Sequence, residues 1–218
     1  MATYTQLINS VLRKLRESTI SSPTDTTYST LIGALVNETK REVEDSYPWT
    51  ALKTTIDVTT AQGTSQYAVT GAGERWRLQT RTKSVFNGTT LYHLTPRPVE
   101  YVKHQARVNT QQSQPIYYYF TGVNSSGDPY INFYPTPDGV YTINVDLIVP
   151  QADLASGSTV ITVPSAPVIL GAWAKAIDER GEDGGQGVGD AITQYHDALA
   201  DAISHDSLRN VGEDTWYV

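Results

Sequence analysis

INFYPTPDGVYTINVDLIV, residues 131–149, decides how the middle of this chain is read. Two runs alternate apolar and polar side chains: Ile131 and Phe133 against Asn132 and Tyr134, then Tyr141, Ile143, Val145 and Leu147 against Thr142, Asn144 and Asp146. A period of two marks a strand with one core face and one wet face. Between the runs lie Pro135, Pro137, Asp138 and Gly139, which stiffen the chain, withhold ladder donors and favour a turn. The stretch predicts a β-hairpin with a rigid connection.

Outward from it the same period persists. Leu52, Thr54, Ile56 and Val58 alternate, Asn87-Gly88 between β-formers predicts a two-residue hairpin, and further strands are expected at 116–120 and 159–163. Residues 95–110 interrupt them with a helical pattern that offers Val99, Tyr101, Val102 and Ala106 for packing.

At both ends the period becomes helical. Tyr4, Leu7, Ile8, Val11, Leu12 and Leu15 form one stripe behind the N-cap candidate Thr3. A second helix should bury Tyr28, Leu31, Ile32, Leu35, Val36 and Val43, with Glu38, Lys40, Arg41, Glu42 and Glu44 mostly on its wet side, and should stop at Pro48. Ser165 is the expected cap of a third, which buries Ile169, Ala172, Trp173, Ala176 and Ile177. A last helix over about 190–208 should turn Ile192, Tyr195, Leu199, Ala202 and Ile203 inward.

The predicted fold is therefore α+β, with N- and C-terminal helices packed as a helical bundle and a central antiparallel β-rich region carrying one inserted helix. The expected divisions are an N-terminal helical pair (1–49), a β-rich region (50–164), a C-terminal helical pair packing with 1–49 (165–208) and an extended tail (209–218).

With 218 residues, 39% of them apolar, the chain can close a core. Its 14 tyrosines against 3 phenylalanines favour half-wet, interfacial positions. The absence of cysteine excludes disulfides, thiolate metal sites and a cysteine nucleophile. No apolar run approaches the length of a membrane span, so manufacture in the cytoplasm is expected. The net charge of −7 is localised: residues 165–218 hold 3 basic and 10 acidic side chains, whereas residues 1–164 hold 13 of each. That sign opposes sequence-specific nucleic-acid reading, yet suits a surface that DNA must pass without sticking.

Sites of chemistry find little support. GGQGVG (184–189) lacks the lysine and hydroxyl of a phosphate loop and reads as a joint between helices. His196 and His205 fall on opposite sides of their helix, and no cofactor or metal is expected. Asp190, Asp197 and Asp201 follow one helical face, read as a solvated acidic stripe. Glu38, Glu42 and Glu44 could supply the paired carboxylates of a hydrolase, but lie on a charged face with nothing to raise a pKa, so no catalytic residue is expected. Arg75, Arg77 and Arg81, interleaved with Trp76 and Leu78, suit the wet face of a strand.

Three features together carry a family likeness: two N-terminal helices ending at YPWTAL (47–52), the strand, Pro-x-Pro, strand element INFYPTPDGVYTINVDL, and a C-terminal helical pair with a polar tail. The chain resembles the phage head-to-tail adaptor, or connector, proteins of short-tailed phages, tail tubular protein A and its relatives. That resemblance implies a non-enzymatic virion protein at the head-tail junction. It further implies a ring, usually of twelve copies, between portal and tail nozzle or tube, with DNA passing through. On that reading Asp190, Asp197 and Asp201 face the channel, and Arg209, Trp216, Tyr217 and Val218 contact the portal or a neighbouring copy. A tail-completion or terminator ring protein and a muramidase-like peptidoglycan hydrolase are the alternatives.

Overall fold

A computed structural model describes residues 1–80, 82–181 and 186–209, with Gln186 described by its backbone alone. The chain forms two compact units. One is helical and comprises residues 1–52 and 150–218; the other is built of strands and comprises residues 53–149.

The helical unit begins with α1 (Tyr4–Lys14), whose N-terminus carries a capping box: Thr3 Oγ1 accepts from the Gln6 amide, and the Gln6 side chain accepts from the Thr3 amide. Tyr4, Leu7, Ile8, Val11 and Leu12 are buried, as the stripe predicts. Each such aliphatic side chain contributes roughly 1.5–3 kcal/mol on full burial. Helix α2 (Thr27–Ser46) opens with a second capping box between Thr26 and Ser29, and its end is covered by the fully buried Trp49, whose Nε1 donates to the Val43 carbonyl at 2.6 Å.

One face of α2 departs from expectation. Lys40 and Glu44 are completely buried, paired at 2.9 Å. Lys40 Nζ also donates to the Gln151 carbonyl at 2.7 Å, and Glu44 Oε1 accepts from the Gln151 amide at 3.1 Å. Spaced one turn apart, the two charges hold both backbone groups of a single residue where the chain returns from the strand unit. Beyond it, 159–163 forms no strand. Val160 makes one bridge to Thr3, and the amides of Tyr4 and Ile161 donate to Thr159 and Ala2.

Helix α4 (Ser165–Arg180) starts one residue earlier than a Ser165 cap would allow, behind Pro164, and ends at Gly181 in the left-handed conformation. It packs against α1, α2 and α5 (Gln186–Ser207). Close approach at Gly171 permits this. A Cβ placed there would lie 2.5 Å from Thr39 Cγ2 and 3.0 Å from the Tyr195 ring.

The strand unit enters through β1 (Lys53–Thr59) and leaves through β9 (Thr142–Ile148), which pair antiparallel from Lys53↔Ile148 to Thr59↔Thr142. β9 also pairs with β3 (Arg77–Leu78) and β4 (Val85–Asn87), and β4 with β5 (Tyr92–His93), giving a five-stranded sheet. A four-stranded sheet has the order β2 (Gln66–Ala68), β8 (Pro129–Tyr134), β7 (Tyr117–Val123), β6 (Thr95–Pro96). Val58, Val85, Leu94, Ile143, Val145 and Leu147 form one core with Val69, Tyr118, Ile131 and Phe133.

The predicted fold class is thus corrected. Instead of a helical bundle around one antiparallel region, the described residues form five helices and two sheets, one of them mixed. Two local causes account for it. β6 and β7 are joined through α3 (Val99–Val108), and a strand-helix-strand crossover returns the chain parallel, which the Thr95↔Tyr117 register shows. Residues 131–149 are also not a hairpin, since β8 and β9 belong to different sheets. The connection over 135–141 carries the chain from one sheet to the other, with Pro137 accepting from Gly63 and Tyr141 exchanging bonds with Thr60. Asn87-Gly88 is likewise not a two-residue turn: Asn87 pairs with Tyr92, and its side chain accepts from the amides of Thr89 and Thr90 across a four-residue loop.

Asp128 organises one corner of this unit. Its Oδ1 accepts from the amides of Gly71 (3.0 Å) and Gly73 (2.9 Å), both in positive-φ conformations, and Asn124 donates to Oδ2. The Gly73 amide first, then the Asn124 side chain, hold its carboxyl below the usual carboxylate range. A depressed folded pKa means that this stabilisation is complete above the unfolded carboxylate value, about 3.9, and is lost as pH falls through the folded value. Asp128→Asn should therefore reduce hydrogen-exchange protection at Gly71 and Gly73 at neutral pH, whereas the parent loses that protection only in acid. Unchanged protection in the variant would contradict this role.

Candidate functional site

Helix α5 carries the acidic stripe. Residues 190, 197 and 201 are separated by seven and four positions, so at about 100° per residue they share one face, and all three aspartates are exposed. The opposite face seats the helix through the buried Ala191, the half-buried Tyr195 and the buried Asp206. Ile192, expected inward, is instead 42% exposed, because Ala191 occupies the direction toward the core. Asp206 was not singled out by sequence. Its Oδ2 accepts from the amide (2.9 Å) and hydroxyl (3.1 Å) of Thr50, capping the 3-10 turn Thr50–Leu52 and tying the end of α5 to the chain just before the strand unit.

Arg209, a candidate contact for a partner, has a side chain that is 74% exposed and lies 4.0 Å from Asp206 Oδ1. Trp216, Tyr217 and Val218, its companions in that prediction, lie outside the described residues, as do Arg81, residues 182 and 183, and residues 184 and 185 at the start of the glycine-rich joint. Gln186 to Gly189 are the first residues of α5.

Two grooves flank α5. One, of about 510 Å³, is lined by Pro164, Pro167, Ala198, Asp201, His205 and Arg209. The other, of about 280 Å³, lies toward α4 and is lined by Glu42, Ala174, Asp178, Val188, Ile192 and Tyr195.

The glutamates considered for hydrolysis are engaged in ion pairs. Glu38 and Glu42 both accept from Lys175 Nζ, at 2.6 and 2.7 Å, and Glu44 is sealed against Lys40. Burial pulls the Lys175 ammonium down, but the bonds to Glu38 and Glu42 outweigh it and hold it above its ordinary value. Among the described residues no three His, Asp or Glu side chains are grouped as metal ligands, and no helix is long and apolar enough to cross a membrane.

A second surface, on the strand unit, was not picked out by sequence. Of the ten residues of α3 only Val102 is buried. Arg97 lies 5.2 Å from the ring centres of both Tyr101 and Tyr117, and Tyr117 stacks on Tyr134. The outward face presents Lys103, His104, Arg107 and Val108, the last 72% exposed. The available signal was an amphipathic pattern whose polar side is basic in an otherwise acidic protein.

No individually curated protein matches the sequence. A family model described as SU10 adaptor protein matches residues 2–216, both units included. In agreement with the likeness to phage head-to-tail adaptors, the chain belongs to the SU10 adaptor protein family.

Proposed function

We propose that this protein is the head-to-tail adaptor of a phage particle. Copies assemble into a ring that joins the portal to the tail nozzle or tube, and DNA passes through the ring without sequence-specific contact. The observation that carries the reading is the family match across residues 2–216, which supplies the structural adaptor role in a virion. The exposed Asp190, Asp197 and Asp201 support the channel: carboxylates repeated around a ring repel the phosphate backbone and keep DNA from sticking. The proposed divisions of labour follow the helical pairs 1–49 and 165–208, the strand-rich stretch between them, and the tail 209–218, which docks on the portal or a neighbour.

Electron micrographs and native mass measurement of the protein, alone and mixed with the portal protein of the same particle, test this. Rings seated on the portal, with a dozen copies or close to it, are the expected result. A protein that remains monomeric and unbound in the presence of portal would overturn the reading. Asp190→Lys, Asp197→Lys and Asp201→Lys together should leave ring formation intact and slow DNA release from completed particles; unchanged release would remove the stripe from the channel.

A further inference from the structure

The two units carry charge of opposite sign. Residues 53–149 hold 8 basic and 6 acidic side chains, whereas the helical unit holds 8 and 17. On the strand unit α3 carries the cations Lys103 and Arg107 against the single carboxylate Glu100. Lys103 and Arg107 sit one turn apart, and among the described residues neither forms an ion pair. Val108 and the partly exposed Tyr101 add apolar surface beside them. A helix with one buried residue in ten, presenting an apolar side chain beside cations without ion-pair partners among the described residues, is a surface built for a partner.

We infer that α3 is the ring-forming surface, and that its partner is the groove between α4 and α5 of a neighbouring copy. The inference rests on the ring reading above and names the contact that closes it. The groove is complementary in both respects. Ala174, Val188, Ile192 and Tyr195 give it an apolar floor, Ile192 being 42% exposed. Asp178 supplies a carboxylate with no ion-pair partner among the described residues, whereas Glu42, at the same groove, is bridged to Lys175. Val108 enters the groove while Lys103 and Arg107 meet Asp178.

Like-to-like pairing of α3 with α3 would oppose two cationic faces and is disfavoured. A basic face meeting an acidic one is heterologous, and heterologous contacts are the kind that propagate around a closed ring. Because the groove lies on the α4 side of α5, the stripe of Asp190, Asp197 and Asp201 is left free for the channel.

The absence of cysteine makes the test clean. Val108→Cys and Ile192→Cys are prepared as separate single variants, combined on the portal protein under mild oxidation, and resolved on a non-reducing gel. Neither variant alone should cross-link; their mixture should yield a dimer, and the double variant a ladder of multimers. Lys103→Glu with Arg107→Glu, added to the Val108→Cys chain, should cut the mixed dimer at least about tenfold, and Asp178→Lys on the Ile192→Cys chain should restore it in part. A dimer from Val108→Cys alone would overturn the pairing in favour of a symmetric contact. Rings in micrographs without any mixed dimer, or with Val108→Cys linked to a portal cysteine, would overturn it while sparing the ring reading. No rings at all would overturn both.

Discussion

Lys40→Met is expected to lower the unfolding free energy of the helical unit by about 3–5 kcal/mol, the range for removing one partner of a buried ion pair. The cost comes from what is left behind. Glu44 stays fully buried with its cation gone, and the Gln151 carbonyl loses the donor that reaches it at 2.7 Å. Adding Glu44→Leu removes the buried carboxylate and should recover part of the loss. Recovery stays incomplete because the Gln151 amide then also lacks its acceptor. Urea denaturation followed by the helical signal measures both variants. A loss below about 1 kcal/mol for Lys40→Met would show that the pair is not held in a dry environment.

Gly171→Val should cost on the order of 2–3 kcal/mol by overpacking. Its position is a helix interior, where intrinsic propensity alone would make the change favourable by a few tenths of a kcal/mol. Two stiff neighbours reverse the sign. Thr39 is β-branched and Tyr195 meets the site with atoms of its rigid ring, so neither can give way as the end of a flexible side chain would. The loss should be read first at α5, because Tyr195 is one of the side chains that seat it. Hydrogen exchange across 190–205 measures this locally, and a variant with the parent's exchange and stability would contradict the close packing. Gly171→Ala, with less to accommodate and some helical propensity regained, should fall between the two.

Much of the helical unit is legible in the sequence. The α1 stripe and its cap follow from three-four spacing and Thr3, and the structure buries the same Tyr4, Leu7, Ile8, Val11 and Leu12. Periodicity fails where charge is buried. Lys40 and Glu44 look like the wet side of α2 by residue type, and their mutual pair and the backbone of Gln151, more than a hundred positions away, help make their burial tolerable. In the strand unit, alternation finds strands but not partners. The apolar face of β9 is as expected, with Ile143, Val145 and Leu147 buried, yet its neighbours are β1, β3 and β4 and not the adjacent β8. Local turn chemistry suggested a hairpin, whereas two prolines that withhold donors also suit a segment leaving one sheet for another. The parallel β6–β7 pair departs from the antiparallel expectation, because Thr95–Pro96, read as the start of a helix, form the short strand β6 that α3 links to β7. Functional surfaces were harder to find. The acidic stripe is a run of like residues on one face, but α3 becomes notable only once nine of its ten residues are known to lie outside the core.

The pairing of the first and last strands of residues 53–149, with Lys53 opposite Ile148, has a consequence for how such proteins diversify. Because the two ends of this segment lie side by side, an unrelated segment whose ends are equally close could replace it as a cassette. Graft success would then depend on matching one strand pair at the junction, and phages could exchange what an adaptor presents to its partners while keeping the helices that carry it.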